Sequence, residues 1–308
     1  MSKTMSKTMR TSNNKSTYPS LSATVTGTAL GCASYLGIST AKTVTNKIPT
    51  ALIRKLNRNN NLETLRLNLS KALNISGLKQ HNVKINDYTS KAPRDINVYK
   101  ENIRLKLKAS LKDKNIFQKL KIYQQYCKEL VIAIFMTKVV NGEQACFDVK
   151  KNSVHLNIQK RGLAGFHELG HAINYNKSRI WRIIRKSKKN KKYTIPILAL
   201  TAILKSKKAD NETPKNFVDS TTAFIRNNVG KLAFLFMMPT LCEEAKASLN
   251  GNKLAKLTCS KELYKKVLKS NFFAGSTYLQ RALATSIGLW ALVKVKDSIT
   301  EASIRNHN

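Results

Sequence analysis

Acidic residues are scarce in this sequence, which has 17 Asp and Glu against 55 Lys and Arg in 308 residues and a formal net charge of +38. The basic residues are spread over nearly the whole chain rather than held in one tail. Such a balance favours contact with polyanions, either nucleic acid or the anionic face of a membrane. Because aromatic residues make up only 7% of the chain and no nucleic-acid-reading motif is recognisable, nucleic acid is the weaker expectation.

Cysteine is sparse as well. The five cysteines are odd in number, widely spaced and without a Cys-x-x-Cys pair: Cys32, Cys127, Cys146, Cys242 and Cys259. This pattern excludes a disulfide framework and a zinc ribbon, and it suits a reducing compartment. We expect all five to behave as small apolar residues.

Long hydrophobic runs are almost lacking. Residues 21–41 carry no charge and are rich in Gly, Ala, Ser and Thr, so the run is long enough to span a bilayer but only weakly hydrophobic. Three interpretations stay open: a signal peptide with a lipoprotein-like Ala29-Leu30-Gly31-Cys32, a membrane helix that packs through small residues, and a buried or interfacial segment. The polar, basic residues 1–20 before it are predicted to be disordered.

Residues 50–140 are predicted to form a basic helical region with Asn-rich joints such as 57–61. Apolar residues recur there at mixed helical spacing and predict core positions: Leu62, Leu65, Leu67, Leu69, Leu73, Ile116, Leu120, Tyr123, Leu130 and Ile134. His81 lies in a polar stretch, where we expect it at the surface.

Two short β-strands are predicted next, at 145–149 and 154–158, with a polar turn between them. They form an antiparallel hairpin just before the motif described below. Such a strand can bind an extended peptide by adding main-chain hydrogen bonds along its edge. His155 is on the polar side of the second strand and is expected to be solvent-exposed, or else to face the site.

The pattern with the clearest chemical meaning is His167-Glu168-x-x-His171. Residues four apart share one face of a helix, so both histidines can offer imidazole nitrogen to one metal ion. Glu168 can reach a water held by that ion without being a ligand itself. Apolar residues at helical spacing predict that one side of this helix is buried: Leu163, Phe166, Leu169, Ala172 and Ile173. The small residues Gly170 and Ala172 are expected to leave room for the ion.

A run of Lys and Arg follows between 177 and 192, and favours a solvated face or a surface that binds phosphate or lipid headgroups. Three apolar segments come after it, at 195–204, 232–242 and 282–293. Each is well short of the ~20 residues needed to cross a bilayer. They predict core helices, or a shallow hairpin dipped into a cytoplasmic leaflet.

Two histidines leave a catalytic zinc site one protein ligand short. Downstream of the motif the only adjacent acids are Glu243 and Glu244. Thr240-Leu-Cys-Glu243 fits a capping box at a helix start after Pro239, which would use Glu243 and leave Glu244 as the third ligand. Asn250-Gly251 would end that helix. Glu244, Ala247 and Ser248 share one face, and the two small residues would let this helix approach the metal helix closely.

These two motif helices resemble those of the gluzincin metallopeptidases, nearest the membrane-associated ones, whose second motif is Glu-x-x-Ala-Asp. The resemblance implies a zincin-like fold with one Zn²⁺ per chain. It also implies that His167, His171 and Glu244 are zinc ligands and that Glu168 is the general base. Ser248 stands where the family usually carries Asp, the carboxylate that orients a ligating histidine. Glu243 and Ser248 are the candidates for that outer position, or for an alternative metal ligand.

The sequence therefore predicts a mainly α (α+β) protein with a small antiparallel β-hairpin before the motif helix and apolar helices after it. The predicted regions are 1–20, 21–48, 50–140, a metallopeptidase core over 141–297, and a frayed tail over 298–308.

The predicted function is a zinc endopeptidase acting on peptide or protein substrates at an anionic membrane surface, with its active site on the cytoplasmic side. A cytoplasmic location is the alternative. Tyr175, Tyr193, His155 and Arg281 are candidates to stabilise the oxyanion. An inactive zincin-like scaffold and a nucleic-acid-binding protein are the rival functions.

Overall fold

The computed structural model describes residues 21–45, 47–91, 95–112, 114–204 and 216–306, so the predicted disorder of residues 1–20 lies outside it. The described chain is mainly helical with one small sheet, which confirms the predicted class. Its ten α-helices are α1 (Leu21–Thr45), α2 (Lys47–Asn57), α3 (Leu62–Ile75), α4 (Ile96–Leu111), α5 (Ile116–Val140), α6 (Ile158–Lys177), α7 (Arg179–Leu204), α8 (Phe217–Asn227), α9 (Val229–Thr258) and α10 (Lys261–Asn306). A 3₁₀-helix spans Leu78–His81, and α10 continues through Asn306, inside the range predicted to fray.

The sheet has three strands in the order β1-β3-β2: β1 (Lys84–Asp87), β2 (Cys146–Asp148) and β3 (Ser153–Leu156). The predicted hairpin is present, since β2 pairs antiparallel with β3 and places Phe147 opposite Val154. On its other side β3 pairs in parallel with β1, where Ile85 faces Val154. The sequence does not predict β1, because four residues with one apolar side chain give no alternation to detect.

The chain contacts divide into two compact units, a larger one (Thr43–Lys191 and Met237–Arg281) and a smaller one (Met1–Lys42, Lys192–Phe236 and Ala282–Asn308). The larger unit therefore joins residues from both sides of the boundary predicted near 141. It also holds α6 together with the part of α9 that carries the paired acids.

The core of the larger unit lies between α3, the sheet and α6. The predicted apolar face of α6 is buried, because Leu163, Phe166, Leu169 and Ala172 are all 0% exposed. Main members contributed by other elements are Leu65, Leu69 and Ala72 from α3, Phe147, Val154 and Leu156 from the sheet, Leu254 and Ala255 from α9, and Leu263 and Val267 from α10. Ala172 thus fills core rather than making room for an ion.

Part of the predicted core is exposed instead. Ile116 is 75% exposed, Leu120 60% and Tyr123 47%, all on α5, so the prediction that these residues are buried is wrong. Leu67 on α3 is 55% exposed as well. An apolar stripe at helical spacing looks the same in sequence whether protein or another apolar phase covers it.

The smaller unit has an apolar cluster of its own. Its members are Leu198 and Ala202 from α7, Val229 and Ala233 from α9, and Leu289, Leu292 and Val293 from α10, and all except Val229 belong to the three apolar segments seen in the sequence. This agrees with the prediction of core helices. Within the described residues, the one helix long and apolar enough to cross a membrane is α1, over Leu21–Ile38. Length and composition are the only criteria for this, and a core helix or a signal sequence also meets them.

Candidate metal centre

Hydrogen bonds within the first two turns of helix α6 fix its position. The backbone N–H of Ile158 donates to Asp87 Oδ1 on β1 (3.2 Å). Arg161 has non-helical backbone angles and kinks the helix, and beyond the kink the N–H of Leu163 donates to Asn57 Oδ1 on α2 (3.1 Å). Because buried backbone donors need partners, these two side chains hold the start of the helix that carries the motif.

Helices α6 and α9 cross in close contact. A Cβ at Gly170 would lie 1.9 Å from the carbonyl oxygen of Ala247, and a Cβ at Gly251 would lie 2.5 Å from that of Phe166. The expected close approach at Ala247 is therefore present. Gly251 serves this crossing rather than ending the helix, since α9 continues to Thr258. Gly170 likewise faces α9 rather than leaving space for an ion.

The crossing brings His167, His171 and Glu244 together. Nε2 of His167 lies 3.2 Å from Glu244 Oε2, and Nε2 of His171 lies 3.2 Å from the same oxygen. The three residues are 5%, 3% and 5% exposed. Ligand atoms about 2.0–2.1 Å from a tetrahedral zinc ion lie about 3.3–3.4 Å apart. The two distances from Glu244 Oε2 are close to that spacing.

Each histidine has a second partner on α9. Nδ1 of His171 lies 2.6 Å from Glu243 Oε1, and Nδ1 of His167 lies 3.1 Å from the hydroxyl oxygen of Ser248. Such outer contacts fix the tautomer of a ligating histidine and the orientation of its ring. The two residues named as alternatives for this position thus each contact a different histidine.

The capping box predicted at Thr240 is wrong. Helix α9 (Val229–Thr258) runs unbroken through Pro239 and Thr240, so no helix starts there. Proline costs an interior helix one hydrogen bond, and the packing of this long helix outweighs that loss. Glu243 is 0% exposed and faces His171 instead of capping a helix end.

These contacts make the centre a place for a cation. In the tautomer that directs the Nδ1 proton of His171 to Glu243, a neutral ring turns the lone pair of Nε2 toward a carboxylate oxygen, which is unfavourable unless a positive species lies between them. For the protein chain alone that species is a proton. Burial opposes the charged imidazole, but Glu244 and the hydrogen bond to Glu243 outweigh it and raise the pKa of His171 to about 9.

Arg185 of α7 completes the outer contacts. Its Nη1 donates to Glu243 Oε1 (2.9 Å) and lies 2.6 Å from Nδ1 of His171, while Nη2 donates to the carbonyl oxygen of Phe147 on β2 (3.2 Å). Glu243 Oε1 is thus the acceptor shared by the histidine and the arginine. Arg185 belongs to the basic run expected to face solvent or lipid, but its side chain faces the interior.

A cavity of about 380 Å³ opens on the centre. Its wall includes both histidines, Glu244, Glu168 and Tyr278. Glu168 is 8% exposed, and one ligand-type atom from each of His167, Glu168 and His171 falls within a common 4.8 Å. The motif glutamate therefore sits beside the histidines, at the wall of an accessible space.

Tyr278 on α10 is a site residue that the sequence does not predict. Its hydroxyl is hydrogen-bonded to Glu244, and burial followed by the negative charges of Glu244 and Glu168 raises its pKa above the ordinary value. The phenol therefore keeps its proton. No local pattern marks this residue, which lies 34 positions after Glu244 in a helix with no motif.

Cys146 on β2 also lines the cavity. Burial and the nearby Glu168 carboxylate raise the pKa of its thiol to about 12. A thiol that stays protonated at neutral pH is neither a nucleophile nor a metal ligand. The expectation that the cysteines behave as small apolar residues holds at this position.

Three of the four residues predicted to stabilise an oxyanion do not line the cavity as it is described. His155 is 4% exposed rather than solvent-facing, and its ring nitrogens lie 2.8 Å from the Tyr88 hydroxyl and 2.7 Å from the Ser153 hydroxyl. Tyr175 packs against the Phe147 ring. The cavity wall as described contains neither of them, nor Arg281, and the side chain of Tyr193 lies outside the described residues.

For a zinc ion held by His167, replacing Ser248 by Ala is expected to weaken binding about tenfold, because His167 loses the partner that orients its ring. Competition with a chromogenic chelator measures the affinity. Ser276→Ala, which removes a hydroxyl bonded to the Phe273 carbonyl on α10, is the matched control and should bind zinc as the unaltered chain does. Equal affinities in both variants would contradict a role for Ser248.

Comparisons with protein-family models, with curated proteins and with solved structures give no match. Inferences about what the centre does therefore rest on its own geometry and chemistry.

Proposed function

We propose that the chain is a zinc-dependent endopeptidase that binds one Zn²⁺ through His167, His171 and Glu244. The observation that carries the proposal is the equal 3.2 Å separation of two imidazole Nε2 atoms from one carboxylate oxygen, with Glu168 beside them at a cavity wall. Three protein ligands and an open position are the composition of catalytic rather than structural zinc sites.

Zinc is the metal that this donor set fits best, because two imidazoles and one carboxylate at tetrahedral spacing are its usual catalytic ligands. When bound, it would supply a water of lowered pKa and polarise the substrate carbonyl. Glu243 and Ser248 would keep the Nε2 lone pairs directed at the ion, and Arg185 would hold Glu243 in place. The residues proposed as ligands and base are those that the resemblance to gluzincins implies, with Ser248 in place of the usual Asp.

Glu168 is proposed as the general base. It lines the cavity beside both histidines, so it can accept the proton of the attacking water and pass it to the leaving amine. Tyr278 is proposed as the donor to the developing oxyanion, since it retains its proton and lies on the same wall. This role replaces those expected of Tyr175 and His155.

A peptide substrate is supported by the position of β2. In the part of the chain that the structure describes, β2 is an edge strand, and Ala145, Cys146 and Phe147 line the cavity. An extended peptide could add to this edge through main-chain hydrogen bonds. The carbonyl of Phe147 already accepts from Arg185, so pairing would use the neighbouring positions.

The proposed setting is an anionic membrane surface facing the cytoplasm. Support comes from the net charge of +38 and from free cysteines at all five positions. A second candidate function, an inactive zincin-like scaffold, is favoured by one observation, the hydroxyl of Ser248 where the resembling family has a carboxylate.

Zinc analysis of purified variants tests the proposal. The unaltered chain is expected to bind one zinc ion per chain and to cleave members of a peptide library, with cleavage abolished by a chelator and restored by zinc. His171→Ala and Glu244→Ala should each lose the metal, whereas Glu243→Ala should bind it about 10- to 100-fold more weakly. Stoichiometric zinc in both ligand variants would refute the site, and a zinc-loaded chain that cleaves nothing would favour the scaffold.

A further inference from the structure

The α4–α5 hairpin, defined here as residues 96–140, extends away from the core that surrounds the metal centre. Helix α4 packs against α5. The buried residues of α5 are confined to its end, at Thr137, Val139 and Val140. A helix of 25 residues is about 37 Å long, so most of α5 lies beyond the part that joins the core.

An apolar stripe runs along the exposed length of α5. Ile116, Leu120, Tyr123, Cys127 and Val131 follow one another at spacings of three or four residues, and all five are exposed. Phe117 (83% exposed), Ile132 (61%) and Phe135 (37%) widen the stripe, and Val98 and Leu105 of α4 are 58% and 55% exposed. Side chains at these spacings share one helix face, so the stripe is continuous. An exposed apolar patch of this kind marks a surface that another phase or molecule covers.

The same hairpin is strongly basic. It carries ten Lys and Arg against three acidic residues, the cations being Lys100, Arg104, Lys106, Lys108, Lys112, Lys114, Lys119, Lys121, Lys128 and Lys138. Lys119, Lys121 and Lys128 are exposed on α5 itself. A helix with an apolar stripe and basic flanks lies in the interface of an anionic bilayer, its rings and aliphatic chains among acyl chains and its ammonium groups among headgroups.

We propose that the α4–α5 hairpin docks on an anionic lipid bilayer. A second copy of the chain fits poorly as the occupant, because pairing two hairpins would place ten cations against ten. The inference does not depend on peptidase activity, although it would set where that activity occurs. Phe135, near the end of α5, lines the cavity of the metal centre, so a docked hairpin would hold the cavity close to the membrane surface.

Cys127 provides a native position for a probe on the stripe. Two full-length forms are prepared, one with Cys127 as its sole cysteine and one with Cys242, an exposed residue of α9, the other cysteines being changed to Ser. Each carries an environment-sensitive fluorophore. With vesicles of phosphatidylcholine and phosphatidylserine, the Cys127 probe should shift to shorter wavelength and be shielded from an aqueous quencher. The Cys242 probe should change little, and pure phosphatidylcholine should give a much smaller shift.

Matched variants distinguish the contribution of the hairpin to membrane binding from the contributions of the overall charge and of α1. Lys119, Lys121 and Lys128 changed together to Gln should weaken vesicle partitioning about 100-fold, since each cation contributes near an anionic surface. The control changes three exposed lysines elsewhere in the same unit: Lys253, Lys256 and Lys265. Phe117, Leu120 and Val131 changed to Gln should also weaken partitioning about 100-fold. Their control is the same exchange at Phe217, Val218 and Phe224, which are exposed on α8.

Several outcomes would overturn the proposal. The first is that the emission of the Cys127 probe does not change when the protein binds vesicles. The second is that the control variants lose as much vesicle partitioning as the hairpin variants. The third is that both hairpin variants partition fully, as expected if α1 alone anchors the chain. A probe shift that needs no vesicles and grows with protein concentration would favour a second copy instead. Zinc content and cleavage of a soluble peptide should be the same in the four lysine and apolar variants, none of which changes a residue of the metal centre, so failure here is distinct from failure of the proposed function.

Discussion

Replacing Glu168 by Gln is expected to lower kcat/KM for peptide cleavage by about 1,000-fold while the zinc content stays at one ion per chain. The amide keeps the size of the side chain but accepts no proton at neutral pH. Because the proposed ligand atoms belong to His167, His171 and Glu244, removing the Glu168 carboxylate would leave the coordinating set intact. Parallel measurements of bound zinc and of steady-state cleavage check both halves of the expectation.

Glu143→Gln is the matched control for this change. Glu143 is an exposed acid at the wall of the same cavity, and its backbone carbonyl, which accepts from Arg161, survives the exchange. Activity close to that of the unaltered chain is expected. If both variants lost activity equally, the negative charge of the cavity would matter rather than a base at Glu168. If Glu168→Gln released the zinc, Glu168 would be a ligand and the proposed division of roles would be wrong.

The parts of the site that could be predicted from sequence are those encoded within one helical turn or one hairpin. The pattern from His167 to His171 places two imidazoles on one face because the α-helical period requires it. The apolar residues around the two histidines indicate which face is buried, and the structure agrees at Phe166 and Leu169. The β2–β3 hairpin follows in the same way from alternation across a short polar turn.

The sequence names Glu243 and Ser248 as candidates for the outer contacts, but which histidine each one contacts could not be predicted, because that depends on how separate helices cross. The sequence offers Glu243 and Glu244 side by side, and a local capping rule assigned Glu243 to a helix end that does not exist. In the structure the orientation of α9 decides their roles, turning one carboxylate to His171 Nδ1 and the other to both Nε2 atoms. Arg185 reaches Glu243 only because α7 folds back beside β2.

A similar limit applies to α5. Its apolar periodicity is genuine, but periodicity reports only that one face avoids water. The sequence predicted burial in the core, whereas Ile116 and Leu120 are exposed. The basic residues between the apolar ones distinguish a lipid surface from a protein core, since a core would have to bury or pair those charges.

Replacing Gly170 by Ala is expected to weaken zinc binding at least about 100-fold and to lower the melting temperature. The added Cβ would lie 1.9 Å from the Ala247 carbonyl oxygen and 2.7 Å from its carbon, so α9 would have to retreat by more than an ångström. Glu244 lies one turn before Ala247 on α9 and would move away from the histidines. Metal ligation tolerates displacements of only about 0.2 Å, so the loss of affinity should exceed that of any change in the outer contacts.

Gly275→Ala is the control for this exchange, because it adds the same methyl group to helix α10, where no atom lies within 4 Å of the new Cβ. It should bind zinc normally and gain up to about 1 kcal/mol in the free energy of unfolding from helix propensity. The double variant Gly170→Ala/Ala247→Gly should remain defective, because the collision is with a backbone carbonyl that the second change keeps. Calorimetric unfolding and chelator competition measure both quantities. Normal zinc affinity in Gly170→Ala would mean that the crossing of α6 and α9 is looser than the 1.9 Å contact implies, and that the third ligand is not fixed by it.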